Sequence, residues 1–182
     1  MIAYKGFKPG LVCLGYQFVM GMNRTEKANC HQNGFHCAEN PLDCLTYYPD
    51  LDNSEYCVVE AGGDMDEDGW DSKIACTELR IIRKLTREEL FLLGLAYMVD
   101  HPQREWNRRV KKDRAEAVDG YAVVRGVDPI ACGKMGDVLA FAKEDIVNSG
   151  IIQIAVTRVD GETVMPETWY GIDLTERKVN FQ

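Results

Sequence analysis

One stretch of this chain carries complete helix-start chemistry, and the rest is laid out around it. Leu85-Thr86-Arg87-Glu88-Glu89-Leu90 sets Thr86 and Glu89 at capping-box spacing, and Leu85 and Leu90 at the spacing of a hydrophobic staple. The residues that follow, through Val99, are apolar on nearly every side, so they form a central core helix or half of a seam between two copies. Asp100-His101-Pro102 interrupts them, and a second helix is expected to continue to about Asp113.

On both sides of this helical pair the texture is that of strands. Residues 1–20 hold short apolar stretches broken by Gly6, Pro9-Gly10 and Gly15, which predicts two strands and a turn. Asn40-Pro41 reads as the start of a short helix that carries Leu42, Leu45 and Tyr48 and stops before Pro49. Strands are expected over Tyr56 to Glu60 and Lys73 to Ile82. After Gly120, glycines at 120, 126, 133 and 136 separate short apolar runs, and Asp160-Gly161 suits a tight hairpin turn between Ile151–Val159 and Glu162–Met165. The fold class is therefore α+β: N-terminal strands with a short helix, a central helical pair, then a C-terminal antiparallel β-layer with a hairpin. A length of 182 residues suits a single domain, with 84 and 118 as places where it would subdivide.

Composition narrows the class of function. Apolar residues at 46% supply a core, and the longest apolar run falls well short of the roughly 18 residues that span a bilayer. The chain opens on Ala3-Tyr4-Lys5-Gly6-Phe7 without a leader, so a cytoplasmic protein is expected. Seven cysteines, an odd number with several inside apolar runs, read as reduced core thiols.

Charge is distributed unevenly over a net −8. Between Glu60 and Asp71 stand six acids, Glu60, Asp64, Asp66, Glu67, Asp68 and Asp71, and no base. Between Arg104 and Arg114 stand six bases against two acids, a local +4. Wound as a helix, Arg104, Arg108, Arg109, Lys111 and Lys112 cover one broad arc, with Trp106 and Val110 on the docking side. Such a face suits phosphates or an acidic protein surface, and an ordinary solvated face is the alternative.

Asp64, Asp66 and Asp68, followed by Gly69, match the first half of a calcium loop, but Ala75 stands where a bidentate Glu should close the shell. A solvated acidic loop, or a docking surface for a basic partner, is the simpler reading. Cys30, His31, His36, Cys37 and Cys44 lack the paired spacing of a zinc site. On a strand, His36 and Cys37 would also point to opposite faces, which weakens a Cys–His nucleophile. No phosphate-loop, dinucleotide, metalloprotease or nucleophile-elbow motif occurs, so no cofactor is called for and no enzyme is positively indicated.

Several segments resemble an uncharacterised domain family of gut Firmicutes and their phages: Ala3 to Phe7, Gly34-Phe35-His36-Cys37-Ala38-Glu39-Asn40-Pro41-Leu42-Asp43, Tyr47-Tyr48-Pro49, Asp71 to Ala75, Val159 to Glu162 and Trp169-Tyr170. Between about Leu85 and Arg114 the chain diverges from typical members. Within that family it is most similar to type II-A anti-CRISPR proteins. The resemblance implies a non-enzymatic inhibitor whose partner is an RNA-guided Cas nuclease, with or without guide RNA, and double-stranded DNA as a further ligand. Joined to the charge pattern, it places Asp64, Asp66, Glu67, Asp68 and Asp71 against a basic nuclease channel and the basic segment on nucleic acid. The rivals are a small nucleotide-related transferase using Cys37 or His36, which needs a cleft near residues 34–48, and a metal-stabilised binding module.

Overall fold

The structure, a computed structural model, describes residues 1–28, 33–67, 72–104 and 107–179. Strands predominate and the class is α+β. The chain forms two compact units, Met1–Thr86 and Arg87–Gln182. No helix among the described residues is long and apolar enough to cross a membrane.

The first unit is a sheet closed on itself. It contains β1 (Ile2–Phe7), the small hairpin β2 (Val12–Cys13) and β3 (Tyr16–Gln17), β4 (Gly21–Arg24), β5 (Phe35–Ala38), β6 (Glu55–Glu67) and β7 (Lys73–Lys84). β1 pairs with β5 and β6, β5 pairs with β7, and β7 pairs back onto β6, all antiparallel. β4 continues the β5 edge of β7. The interior is narrow and is filled accordingly: Phe7, Phe18, Phe35, Leu79 and Ile81 alternate with Ala3, Ala61, Cys37, Cys57 and Cys76. The thiols act as small apolar fillers, and of the six cysteines among the described residues of the two units five are buried.

The expected cap at Asn40 is present. Its side-chain oxygen accepts from the Leu42 amide at 3.1 Å, Pro41 follows, and the 3-10 turn Pro41–Asp43 leads into α1 (Cys44–Tyr47). The predicted strands Tyr56 to Glu60 and Lys73 to Ile82 belong to longer elements, β6 and β7.

In the second unit, α2 (Arg87–Asp100) starts directly after Thr86, where the capping-box spacing puts it. It buries Leu90, Phe91, Leu95 and Met98 and leaves Leu92 and Val99 exposed, so an all-apolar segment has one covered face. It packs on β10 (Val138–Glu144) and β11 (Ile151–Arg158), and Phe91 meets Tyr121 with ring centroids 5.0 Å apart. Phe91 and Phe141 are fully buried, each contributing about 1.5–3 kcal/mol of transfer free energy.

Three layout expectations are corrected here. The second helix does not form: Val110–Glu116 is strand β8, paired parallel with β9 (Tyr121–Cys132). The basic segment is thus a turn and an edge strand, because pairing with residues thirteen to sixteen positions downstream outweighs a helical pattern resting on two apolar positions. The C-terminal layer is mixed rather than antiparallel: β9 pairs parallel with β8 and β10, and antiparallel with β12 (Tyr170–Gly171), while β10 and β11 are antiparallel. Glu162–Met165 is not a returning strand. The Asp160 carboxylate instead accepts from the amides of Glu162, Thr163 and Val164, at 2.8, 2.8 and 2.9 Å, and winds the chain into a side-chain-held turn.

Candidate functional site

The basic residues come together only in part, and in a groove rather than along a helix. A cavity of about 630 Å3 in the second unit is lined by Arg104, Arg108 and Lys112, with Arg125, Glu144 and Ser149 among its other walls. Arg125 is a buried floor: its Nε lies 2.5 Å from Glu144 Oε1 and its Nη2 donates to the Ser149 carbonyl at 3.0 Å. Its charge is thereby neutralised in place. The net positive charge of the groove comes from Arg104, Arg108 and Lys112, all exposed. Arg104 is aimed by Tyr97, donating to its hydroxyl at 2.6 Å with the guanidinium 5.8 Å from the ring centroid. Arg109 is turned to Asp119 at 3.1 Å, and Lys111 is exposed on β8 without lining the groove. Trp106, expected as an apolar anchor, lies outside the described residues.

The acidic segment begins on a strand. Asp64, Asp66 and Glu67 belong to β6, and Asp64 and Asp66 are exposed. The β6–β7 register slips between Gly62 and Met65, Gly63 has φ 71°, and the Asp64 amide donates to Thr77 Oγ1 at 2.9 Å. This bulge re-aims the carboxylate that follows it. Asp68 and Asp71 lie outside the described residues. Strands rather than helices flank the loop, Ala75 is buried on β7 opposite Asp66, and no metal-holding group of three or more His, Cys, Asp or Glu occurs among the described residues.

The rival expectation of a cleft near residues 34–48 meets a real cavity, in the first unit and of about 600 Å3. Its floor is Lys5, a residue that composition and motif reading passed over. In β1, Ala3, Lys5 and Phe7 share one face by the two-residue period, and all three are buried, Lys5 at 4% exposure. A lysine at a core-facing strand position was the signal available in the sequence. Its ammonium donates to the His36 carbonyl at 2.6 Å and to Cys13 Sγ at 3.5 Å, with the rings of Phe7 and Phe18 each 5.2 Å away. The Tyr48 hydroxyl donates to the same sulfur at 3.0 Å.

The two residues of the proposed nucleophile, His36 and Cys37, both line this cleft. Cys37 belongs to the core cluster, and its thiol is held well above its usual range, first by the hydrogen bond with Cys76 and then by burial. Burial pushes the neighbouring Cys44 up to about 12. Cys30 and His31 lie outside the described residues.

Residues 1–93 match a family described as a domain of unknown function, DUF7666, which is more than half of the 182-residue chain. The chain belongs to this family. DUF7666 thus covers every strand of the closed sheet and the first part of α2, including the Lys5 cleft and the acidic strand. The basic groove lies beyond the stretch that matches DUF7666. No curated protein and no solved structure matches the chain.

Proposed function

We propose that this protein works by binding a nucleic-acid-bearing partner, without making or breaking covalent bonds, and that the Arg104–Arg108–Lys112 groove is where phosphates are held. The observation that carries this reading is the convergence of three exposed cations on one concave surface. Lysines on an edge strand have a simpler purpose, since charge along β8 discourages pairing with another chain. Arg104 and Arg108 precede the strand and are not explained that way. Guanidinium groups fork onto phosphate oxygens, and Tyr97 presents one of them in a fixed direction.

The sequence resemblance to type II-A anti-CRISPR proteins supplies the partner class: an RNA-guided Cas nuclease in a bacterial cytoplasm, engaged with its guide RNA or with double-stranded DNA. Asp64, Asp66 and Glu67 on β6 would then face basic channels of that nuclease. The transferase alternative draws no support from Cys37, whose thiol is in the core and held protonated.

Anisotropy titrations with duplex DNA, guide RNA and the nuclease–guide complex test the proposal. Three phosphate contacts on duplex DNA give a log–log salt slope of about −2.7, at about −0.9 per contact. The triple change Arg104→Gln, Arg108→Gln, Lys112→Gln should abolish the slope and most of the affinity. Equal binding by the triple variant would remove the groove from the account.

A further inference from the structure

The first unit contains an arrangement that neither its packing nor the basic groove requires. Lys5 is nine-tenths buried, and among the described residues no carboxylate pairs with it. An ammonium has three N–H donors, and two are accounted for, on the His36 carbonyl and on Cys13 Sγ. A buried charge without a counter-ion is costly, so its retention calls for a purpose. Lys8 and Lys73 also line the cleft, while its carboxylate, Asp43, is engaged by the Ser72 hydroxyl at 2.6 Å and the Ser72 amide at 3.2 Å. A cleft with a buried ammonium at its floor suits an anion.

A second observation says what kind of anion. Leu14 lines the same cleft at the tip of the β2–β3 hairpin, with 92% of its surface exposed and φ 49°. With Gly15 at φ 80°, this is a left-handed two-residue turn, where Asn-Gly is the favoured pair. A leucine there is both strained and solvated. Val12, Tyr47 and Tyr48 continue the apolar wall.

We propose that this cleft binds a small organic carboxylate with an apolar body: the carboxylate takes the third N–H of Lys5, and Leu14 closes over the body. At the buried end of the cleft Lys5 has one N–H left to give, which suits a carboxylate oxygen better than a phosphate, which draws several donors at once. The site lies within the stretch that matches the family and is independent of the basic groove.

Calorimetric titration of the full chain with 2-naphthoate and decanoate, and with 2-naphthylmethanol as the neutral twin, is the test. Saturable binding of a carboxylate with Kd below about 1 mM is expected, and the alcohol should bind at least about tenfold more weakly. Bound carboxylate should also slow iodoacetamide labelling of Cys13, a half-exposed thiol at the cleft, as read by peptide mass spectrometry. Lys5→Met should lose the preference for the carboxylate over the alcohol. Should that variant fail to fold, Leu14→Asn decides the matter, because it improves the turn: its melting temperature should hold or rise while affinity falls about tenfold. Three results would each overturn the proposal: no saturable binding of either carboxylate, equal binding of the alcohol, or full affinity in Leu14→Asn.

Discussion

The backbone of Gly6 passes so close to the ring of Tyr48 that a methyl group at Gly6 would stand 2.6 Å from Cδ2 and 2.9 Å from Cγ. The backbone of β1 and the residue that ends α1 meet here without a side chain between them, and this contact sets one wall of the Lys5 cleft. Gly6→Ala should therefore cost about 1–3 kcal/mol, the usual range for overpacking. Adding Tyr48→Ala should recover part of that loss, since the clash is with the ring. Urea denaturation of both single variants and the double variant measures the coupling, and strictly additive losses would contradict the contact.

The ion pair under the basic groove gives a second expectation. Arg125 and Glu144 have 3% and 10% side-chain exposure, so removing one partner leaves a buried charge. Glu144→Ala should destabilise the protein by about 3–5 kcal/mol, whereas the paired change Arg125→Met, Glu144→Leu should cost much less. Denaturation midpoints order the two. A double variant as unstable as the single one would mean that Arg125 serves through its bond to Ser149 instead.

Alkaline pH should loosen the fold through its buried thiols. An unfolded chain gives up the Cys44 proton near 9.0, whereas burial holds it to about 12 in the fold. Between those values the unfolded state binds fewer protons, so stability is complete below about pH 9 and falls as pH rises. Each thiol kept protonated steepens the fall by up to about 1.4 kcal/mol per pH unit. Cys57, pushed up to about 11 by burial, acts in the same direction. Stability curves from pH 8 to pH 10.5 should be shallower for Cys44→Ala than for the parent, and parallel curves would assign the loss to other groups.

The acidic strand makes its own prediction for partner binding. Neutralising Asp64, Asp66, Glu67 and Asp68 together, as Asn and Gln, should weaken capture by a Cas nuclease at moderate salt while duplex DNA binding holds or strengthens. Nuclease affinity that does not change would leave the acidic segment as a solvated turn.

Local chemistry was legible in the sequence, and long-range pairing was not. Asn40-Pro41 and Thr86 with Glu89 mark helix starts because the groups they satisfy lie within one turn. The segment after His101 misleads for the opposite reason. Val110 looks like one apolar stripe of a helix, yet it is buried through pairing with Val123, which no short window contains. At Asp160 the turn residue was seen correctly, but one carboxylate accepting from three amides holds the chain in place of a strand ladder. The Lys5 cleft draws on β1, the β2–β3 hairpin, β5, α1 and β7, so only long-range pairing assembles it. Lys5 alone left a trace, as the polar member of an inward-facing triplet.

Closure of that sheet bears on how the first unit opens to solvent. β1 has a neighbour on each side, and its residues Ile2 to Phe7 are in register with Glu60 to Glu55 along their whole length. On its other edge β1 meets β5 at Tyr4–Ala38, so the amides it bonds to β6 are released to deuterium by opening of that long pair rather than by fraying of an outer strand. Slower exchange across β1 than across β4, which stands at the end of the sheet beside β7, is the kinetic signature of that closure.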